Sequence, residues 1–289
     1  LLTAMVTPFY PDGSVNYRSA ARLAEYLVSH GSDGLVVAGS TGESATLSSE
    51  EKLKLFTTVL DAVGDKAAVI AGTGSNDTRS SVSLTVAAEK LGVHGSMLVG
   101  PYYNKPNQEG YFRHFKTIAA ATKLPIILYN VPGRTASNIT DITVAELADE
   151  CPNLAAVKEA SGNLEQVSDI IRSVRPGFLV YSGDDMLTLP IMALGGNGVI
   201  SVAGHVVGRE MQQMMEAFVS GDIRAASEIH LRLVPFFKVI FITTNPIPIK
   251  TAVNLLGLDA GPLRLPLVEA NAGELERLRK TMTDLGVLA

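Results

Sequence analysis

Residues 154–163 read LAAVKEASGN, an apolar run with the pattern of a buried strand that ends in Lys158 and Glu159 and breaks into Ser161, Gly162 and Asn163. Lysine is among the residues least often buried, so one placed at such a strand end calls for a reason. An amine held partly out of water has a lowered pKa, and the neutral lysine it leaves attacks carbonyl carbons to form Schiff bases. On chain position alone, a side chain that snorkels to solvent or pairs with Glu159 fits equally well. Other reactive types stand at comparable places. Gly39-Ser40-Thr41-Gly42 offers N–H donors and hydroxyls ahead of a helix, a cradle suited to a carboxylate, although ordinary turn chemistry also uses these residues. Tyr129 closes an apolar run and also fits a core aromatic with a wet hydroxyl. Arg134, in VPGRT, also fits a surface loop charge. Asp184 and Asp185 stand where they would cap the helix that follows. The five histidines show no ligand spacing, so no metal is expected. GTGSN (72–76) lacks the lysine or distant acid that would complete a nucleotide loop. Cys151, just before Pro152, reads as a small filler rather than a nucleophile.

The elements that must position these residues alternate along the chain. Near-continuous apolar runs fall at 3–7, 34–39, 67–72, 95–100, 125–130, 154–160, 178–183 and 197–204. They lack the in–out alternation of a half-exposed sheet, as parallel strands covered on both faces do. Helical stretches lie between them. Residues 16–30 place Ala20, Leu23, Ala24 and Leu27 on one stripe, and Ser48 with Glu51 forms a capping-box signature for 48–63. The spacing predicts further helices over 77–91, 108–121, 143–150, 164–174 and 185–194. Eight strands alternating with helices point to an α/β fold, a (β/α)8 TIM barrel, rather than an open doubly wound sheet, which would carry a Gly-rich turn after its first strand. Beyond residue 205 the strand signal stops and helices are expected over 209–219, 222–239, 248–256 and 272–285. The expected organisation is therefore a barrel over 1–205 and a C-terminal helical section over 206–289. In such barrels the active site lies at the C-terminal mouth of the strands. The Gly39–Gly42 loop, Tyr102-Tyr103-Asn104, Tyr129 with Arg134, Lys158 and Gly183-Asp184-Asp185 all follow or close such runs and collect at strand ends.

Bulk properties narrow the partners. The 289 residues carry a formal net charge of −5, which argues against a nucleic acid or an anionic membrane as partner. A single cysteine fits a reducing compartment such as the cytoplasm. No stretch reaches the ~20 apolar residues of a membrane span, and no signal-peptide pattern opens the chain. Because LLTAMVTPF already reads as a strand, a few natural residues are expected to precede Leu1.

Six segments, GSTGES, GPYYNKPNQEG, YNVPGRT, VKEASGN, SGDD and GGNGVISV, together with NPIPIK near the C-terminus, stand in one order and spacing. In this the chain resembles the dihydrodipicolinate synthase family, among the pyruvate-dependent class I aldolases that also include sialic acid lyase. The resemblance implies that pyruvate condenses with L-aspartate 4-semialdehyde without a cofactor. Lys158 matches the Schiff-base lysine and Tyr129 the tyrosine that relays protons there. Thr41 matches the threonine linking it to a second tyrosine, here Tyr103, which the family inserts from a neighbouring subunit. It implies that Ser40 and Thr41 hold the pyruvate carboxylate through their backbone, that Arg134 receives the carboxylate of the semialdehyde, and that Gly183 and Ile200 line the pocket. A homotetramer built as a dimer of dimers, or a homodimer, is implied as well.

One departure bears on substrate. The synthase usually has two threonines where this chain has Ser40-Thr41, a pair common in sialic acid lyases, whereas Arg134 is a residue that lyases and sugar-acid aldolases generally lack. The alternatives are therefore a related pyruvate-dependent lyase, acting on N-acetylneuraminate or a 2-keto-3-deoxy sugar acid, and, more distantly, a non-catalytic oxo-acid-binding barrel. In lysine-sensitive members an allosteric site lies at positions matching Ser44, Ala45, Ser49, Lys52, Asn76, Ser80 and Tyr102. Here Ser80 stands in place of a glutamate and Lys52 in place of a histidine or another uncharged residue. Feedback inhibition by lysine is accordingly expected to be weak or absent.

Overall fold

The structure, a computed structural model, describes residues 1–288. Its strands are β1 (Leu2–Ala4), β2 (Gly34–Val37), β3 (Ala68–Gly72), β4 (Gly95–Val99), β5 (Ile126–Asn130), β6 (Leu154–Glu159), β7 (Leu179–Ser182) and β8 (Gly198–Ser201). They follow one another in sequence order around a closed barrel. Helices α1 (Tyr17–Ser29), α2 (Ser49–Val63), α3 (Thr78–Leu91), α4 (Gln108–Ala120), α5 (Pro132–Thr135), α6 (Asp141–Glu150), α7 (Leu164–Ser173) and α8 (Thr188–Ala193) lie between strands. After β8 come α9 (Gly204–Val219), α10 (Ile223–Val239), α11 (Ile247–Leu255) and α12 (Ala272–Asp284). All eight expected strands are present, and the fold is the anticipated (β/α)8 barrel with C-terminal helices. No helix among the described residues is long and apolar enough to cross a membrane.

Two compact units divide the chain, Leu1–Val69 with Ser201–Ala289 and Ile70–Ile200. In the first, Asn16 caps α1 by accepting from the Ser19 N–H, and the predicted stripe Ala20, Leu23, Ala24 and Leu27 is fully buried. Each leucine so buried contributes roughly 1.5–3 kcal/mol. The capping box at Ser48 and Glu51 forms with both reciprocal bonds. His205, also fully buried, accepts from the Val6 N–H through Nε2 at 3.0 Å, and its Nδ1 bonds the Val202 carbonyl at 2.8 Å. Burial pushes its pKa down to about 4, with the Val202 bond acting in the opposite direction. The imidazole is thus a neutral structural link.

In the second unit a core of Leu98, Phe115, Ile118, Leu128, Val144 and Val157 unites strands and covering helices. Strand register is what matters for the site. Tyr129 on β5 pairs with Lys158 on β6, which pairs with Tyr181 on β7; the next rung is Asn130, Glu159 and Ser182. Because side chains alternate along a strand, the two rungs face opposite sides of the sheet.

Several boundaries differ from expectation for local reasons. Arg134 lies in a single helical turn, α5, opened by Pro132, whose fixed φ suits a first helical position. Helix α6 begins at Asp141 because Thr140 caps it. The stretch 185–194 divides into a 3-10 turn, Asp185–Leu187, and α8. Helix α9 starts at Gly204, five residues ahead of the expected Arg209, and bends at the non-helical Val207.

Candidate active site

Lys158 is 4% exposed although it carries an amine. Its Nζ lies 4.2 Å from the centroid of the Tyr129 ring, 6% exposed on the neighbouring strand. Burial lowers the lysine pKa to about 8, opposed by the charge of Asp185 and assisted by that of Arg134. The amine is therefore held dry, over the face of the Tyr129 ring, with a usable neutral fraction near pH 7. Gly183 follows β7 and donates its N–H to the Glu159 carbonyl at 2.7 Å. A Cβ there would sit 2.5 Å from the Ala160 Cβ and 3.2 Å from the Lys158 Cε, so only glycine fits beside the amine. Arg134 is exposed on α5, and Ile200 is fully buried on β8.

The strand-end rung behind the amine carries a second polar system. Glu159, 2% exposed, does not pair with Lys158 but accepts from Asn130 Nδ2 at 2.9 Å, Ser161 N–H at 2.7 Å and Gln166 Nε2 at 3.1 Å. Asn130 also accepts from the Ile139 N–H at 3.0 Å and donates to Asn138 Oδ1 at 2.8 Å. The segment that bears Arg134 is thereby closed onto the residue that follows Tyr129.

In the first unit, the N–H groups of Gly42 and Ser44 close on the Gly39 carbonyl, and that of Glu43 closes on Ser40. The N–H groups of Ser40 and Thr41 stand outside this turn's own bonding. Thr41 is buried, and its Oγ1 accepts from Asn245 Nδ2 at 2.9 Å. Thr7 donates to the Gly42 carbonyl at 2.7 Å. Immediately after the loop, Glu43 forms an ion pair with Lys250 of α11 at 2.7 Å, both side chains 1% exposed.

Tyr103 is 89% exposed, and both it and Lys105 have positive φ, 72° and 44°. Such backbone costs of order 1–3 kcal/mol at a non-glycine residue and is a feature of functional loops. Of the positions matching an allosteric site, Ser44 and Ala45 lie in a 3-10 turn and Ser49 and Lys52 on the first turn of α2. Asn76 donates to the Tyr102 carbonyl at 3.2 Å, and Ser80 bonds the Asp77 carboxylate that caps α3.

Sequence reasoning missed Asp185, Asn245 and the Glu43–Lys250 pair. Asp184 does cap as expected, accepting from the Met186 N–H at 2.9 Å. Asp185 is instead 2% exposed and acts on Lys158 through its charge. A cap and a buried carboxylate look alike as adjacent aspartates; only the 3-10 turn that starts at Asp185 separates the half-buried cap from the buried carboxylate.

The model of the dihydrodipicolinate synthetase family matches residues 1–285. The 4-hydroxy-tetrahydrodipicolinate synthase of Moorella thermoacetica is 58% identical over 288 residues, covering 100% of this chain and 98% of that one. The protein of the same name from Desulforamulus reducens is 54% identical over 288 residues, covering 100% and 97%. Among solved structures, DHDPS from Cyanidioschyzon merolae with lysine bound matches at a TM-score of 0.98 and 50% identity, covering 99% of this chain and 98% of that one. With its fold, its motifs and nearly its whole length in agreement, the chain belongs to the dihydrodipicolinate synthetase family.

Proposed function

We propose that this chain is a 4-hydroxy-tetrahydrodipicolinate synthase, a lyase that condenses pyruvate with L-aspartate 4-semialdehyde in the diaminopimelate route to lysine. The observation that carries this reading is Lys158, a buried amine with its pKa lowered to about 8 at a strand end. Neutral Lys158 adds to the ketone carbon of pyruvate, and loss of water gives an iminium. A methyl proton leaves to form the enamine, whose carbon attacks the aldehyde carbon of the semialdehyde. The aldehyde oxygen takes up a proton and becomes the hydroxyl. The semialdehyde's own amino group then adds to the iminium carbon and expels the lysine, closing the ring.

The other roles follow the chemistry of each side chain. Tyr129, Thr41 and Tyr103 move protons through neutral hydroxyls without adding charge to the pocket. The Ser40 and Thr41 N–H groups hold the pyruvate carboxylate, and Gly183 and Ile200 bound the pocket. Arg134 receives the semialdehyde carboxylate, because its planar fork donates two parallel hydrogen bonds. Tyr103, too exposed to serve its own chain, is lent to a neighbouring subunit, which makes the enzyme a homodimer or a dimer of dimers. The cytoplasm, where a free thiol such as Cys151 persists, is its compartment.

Borohydride reduction in the presence of pyruvate tests the reading. A pyruvate-derived adduct fixed on Lys158 is expected; an adduct on another lysine, or none, overturns it. Coupled assays with pyruvate plus semialdehyde, run beside N-acetylneuraminate cleavage, separate the synthase from a lyase.

A further inference from the structure

We infer that Glu43 and Lys250 form a positioning latch that sets the height and angle of the Ser40-Thr41 loop over the pyruvate carboxylate. Neither is a catalytic residue. The inference rests on the function proposed above and adds to it a reason for the coupling of two distant segments, GSTGES and NPIPIK.

Three observations combine. Glu43 follows the Gly39–Gly42 loop directly, and its backbone is left-handed at φ 54°, a conformation that a side chain other than glycine adopts at a cost. Its carboxylate is fully engaged: Oε1 accepts from Lys250 Nζ at 2.7 Å and Oε2 from the Arg264 N–H at 3.0 Å. Lys250 in turn sits with Nζ 4.0 Å from the centroid of Phe9, so its remaining surface faces an aromatic ring rather than water. A fourth contact comes from the same segment, since Asn245, five residues before Lys250, donates to Thr41 Oγ1. One stretch of chain therefore grips the loop at two points, Thr41 and Glu43.

The choice of an ion pair is informative. A buried pair loses hydration at both partners, and well-packed neutral residues of the same volume often serve stability equally well or better. Strained backbone and a desolvated pair at one residue add nothing that an apolar anchor lacks, except direction. Charged partners with fixed hydrogen-bond geometry hold a loop at one setting, where apolar side chains would let it slide. Arg264 secures the other end, donating to the Thr46 carbonyl at 2.6 Å and binding both oxygens of Glu51 on α2. The loop is thus clamped on both sides of residues 43–46.

The test is E43Q/K250M, which keeps an acceptor for the Arg264 N–H and keeps the volume of the lysine stem over Phe9. Two measurements are made: amide hydrogen exchange over residues 39–44, and separate KM values for pyruvate and for the semialdehyde. The latch predicts at least tenfold faster exchange confined to that segment, with pyruvate KM raised about tenfold and semialdehyde KM changed less than twofold. Its melting temperature is expected to equal or exceed that of the native protein. E43D, which keeps the charge but shortens the reach, is expected to raise pyruvate KM in the same selective way, and it decides the matter should the double variant not fold. Unchanged exchange and unchanged pyruvate KM overturn the latch, as does an equal loss in both KM values and kcat, the mark of a merely structural pair. If native protein gives no pyruvate adduct on Lys158, the proposed function fails while the exchange measurement still judges the latch.

Discussion

Replacing Asp185 with asparagine removes the one charge that favours the ammonium form of Lys158 and leaves intact the burial and the Arg134 charge that oppose it. The variant's Lys158 pKa therefore falls below about 8. The size of the effect is bounded by the titration itself. At pH 7 an ordinary lysine with pKa 10.5 is about 0.03% neutral, whereas one at about 8 is about 9% neutral, a gain of roughly 300-fold. The same drop corresponds to about 3.4 kcal/mol against the charged form. Further lowering can raise the neutral fraction at pH 7 only from about 9% towards unity, so reactivity of the free amine gains at most about 11-fold. Turnover is the wrong readout, because the iminium of the proposed mechanism would itself be a cation that Asp185 favours too. Trace acetylation with acetic anhydride, quantified at Lys158 by mass spectrometry from pH 5 to 11, reports the neutral amine directly. Half-maximal labelling is expected near pH 8 in the native protein and at lower pH in Asp185→Asn. A native midpoint near 10.5, or a midpoint that rises in the variant, would refute the electrostatic account.

Arg134→Ala is expected to depress turnover with the semialdehyde far more than Schiff-base formation with pyruvate, as compared by borohydride trapping and a coupled assay; equal losses would make the residue structural. Sedimentation at assay concentrations is expected to show no active monomer, and a fully active monomer would contradict the lending of Tyr103. L-lysine is expected to inhibit weakly or not at all: the resemblance implies that lysine-sensitive members carry at position 80 a carboxylate worth roughly 1.5–3 kcal/mol to the ligand's ammonium, and the Ser80 hydroxyl here is occupied by Asp77; half-inhibition at sub-millimolar lysine would overturn this. His205, held neutral with its pKa depressed to about 4, contributes stability that is whole above the unfolded value of 6.5 and lost as pH falls towards 4. The loss should reach about 2 kcal/mol at pH 5. Thermal melts from pH 7.5 to 4.5 should show a shallower decline in His205→Gln, and an equal slope would remove the imidazole from the account.

What could be read in the sequence was whatever depends on neighbours along the chain. The β-branched runs and the stripe through Ala20, Leu23, Ala24 and Leu27 declared strands and helices because periodicity is local. The Ser48–Glu51 box was legible for the same reason. Helix α5 was not, because Pro132 and Gly133 resemble a loop and four residues carry no period. The residues proposed for chemistry were visible as motifs, and the structure brings Lys158, Tyr129 and Gly183 together. The supports were invisible. Glu43 and Lys250 are 207 residues apart, and no pattern within either segment announces the other. Glu159 adjoins Lys158 in the chain and so reads as its partner, yet strand alternation turns it to the opposite face, where Asn130, Ser161 and Gln166 satisfy it.

The missing side chain at residue 183 also constrains descent. With Ala160 and Lys158 both inside contact distance of any Cβ there, position 183 cannot be enlarged by even one carbon without displacing its neighbours. Under the chemistry proposed above, lineages derived from this protein that adopt a different acceptor aldehyde would therefore change elsewhere, on exposed segments such as the turn bearing Arg134, with residue 183 inherited unaltered. A single absent carbon thus fixes the space beside the Lys158 amine while the exposed turn at Arg134 stays open to change.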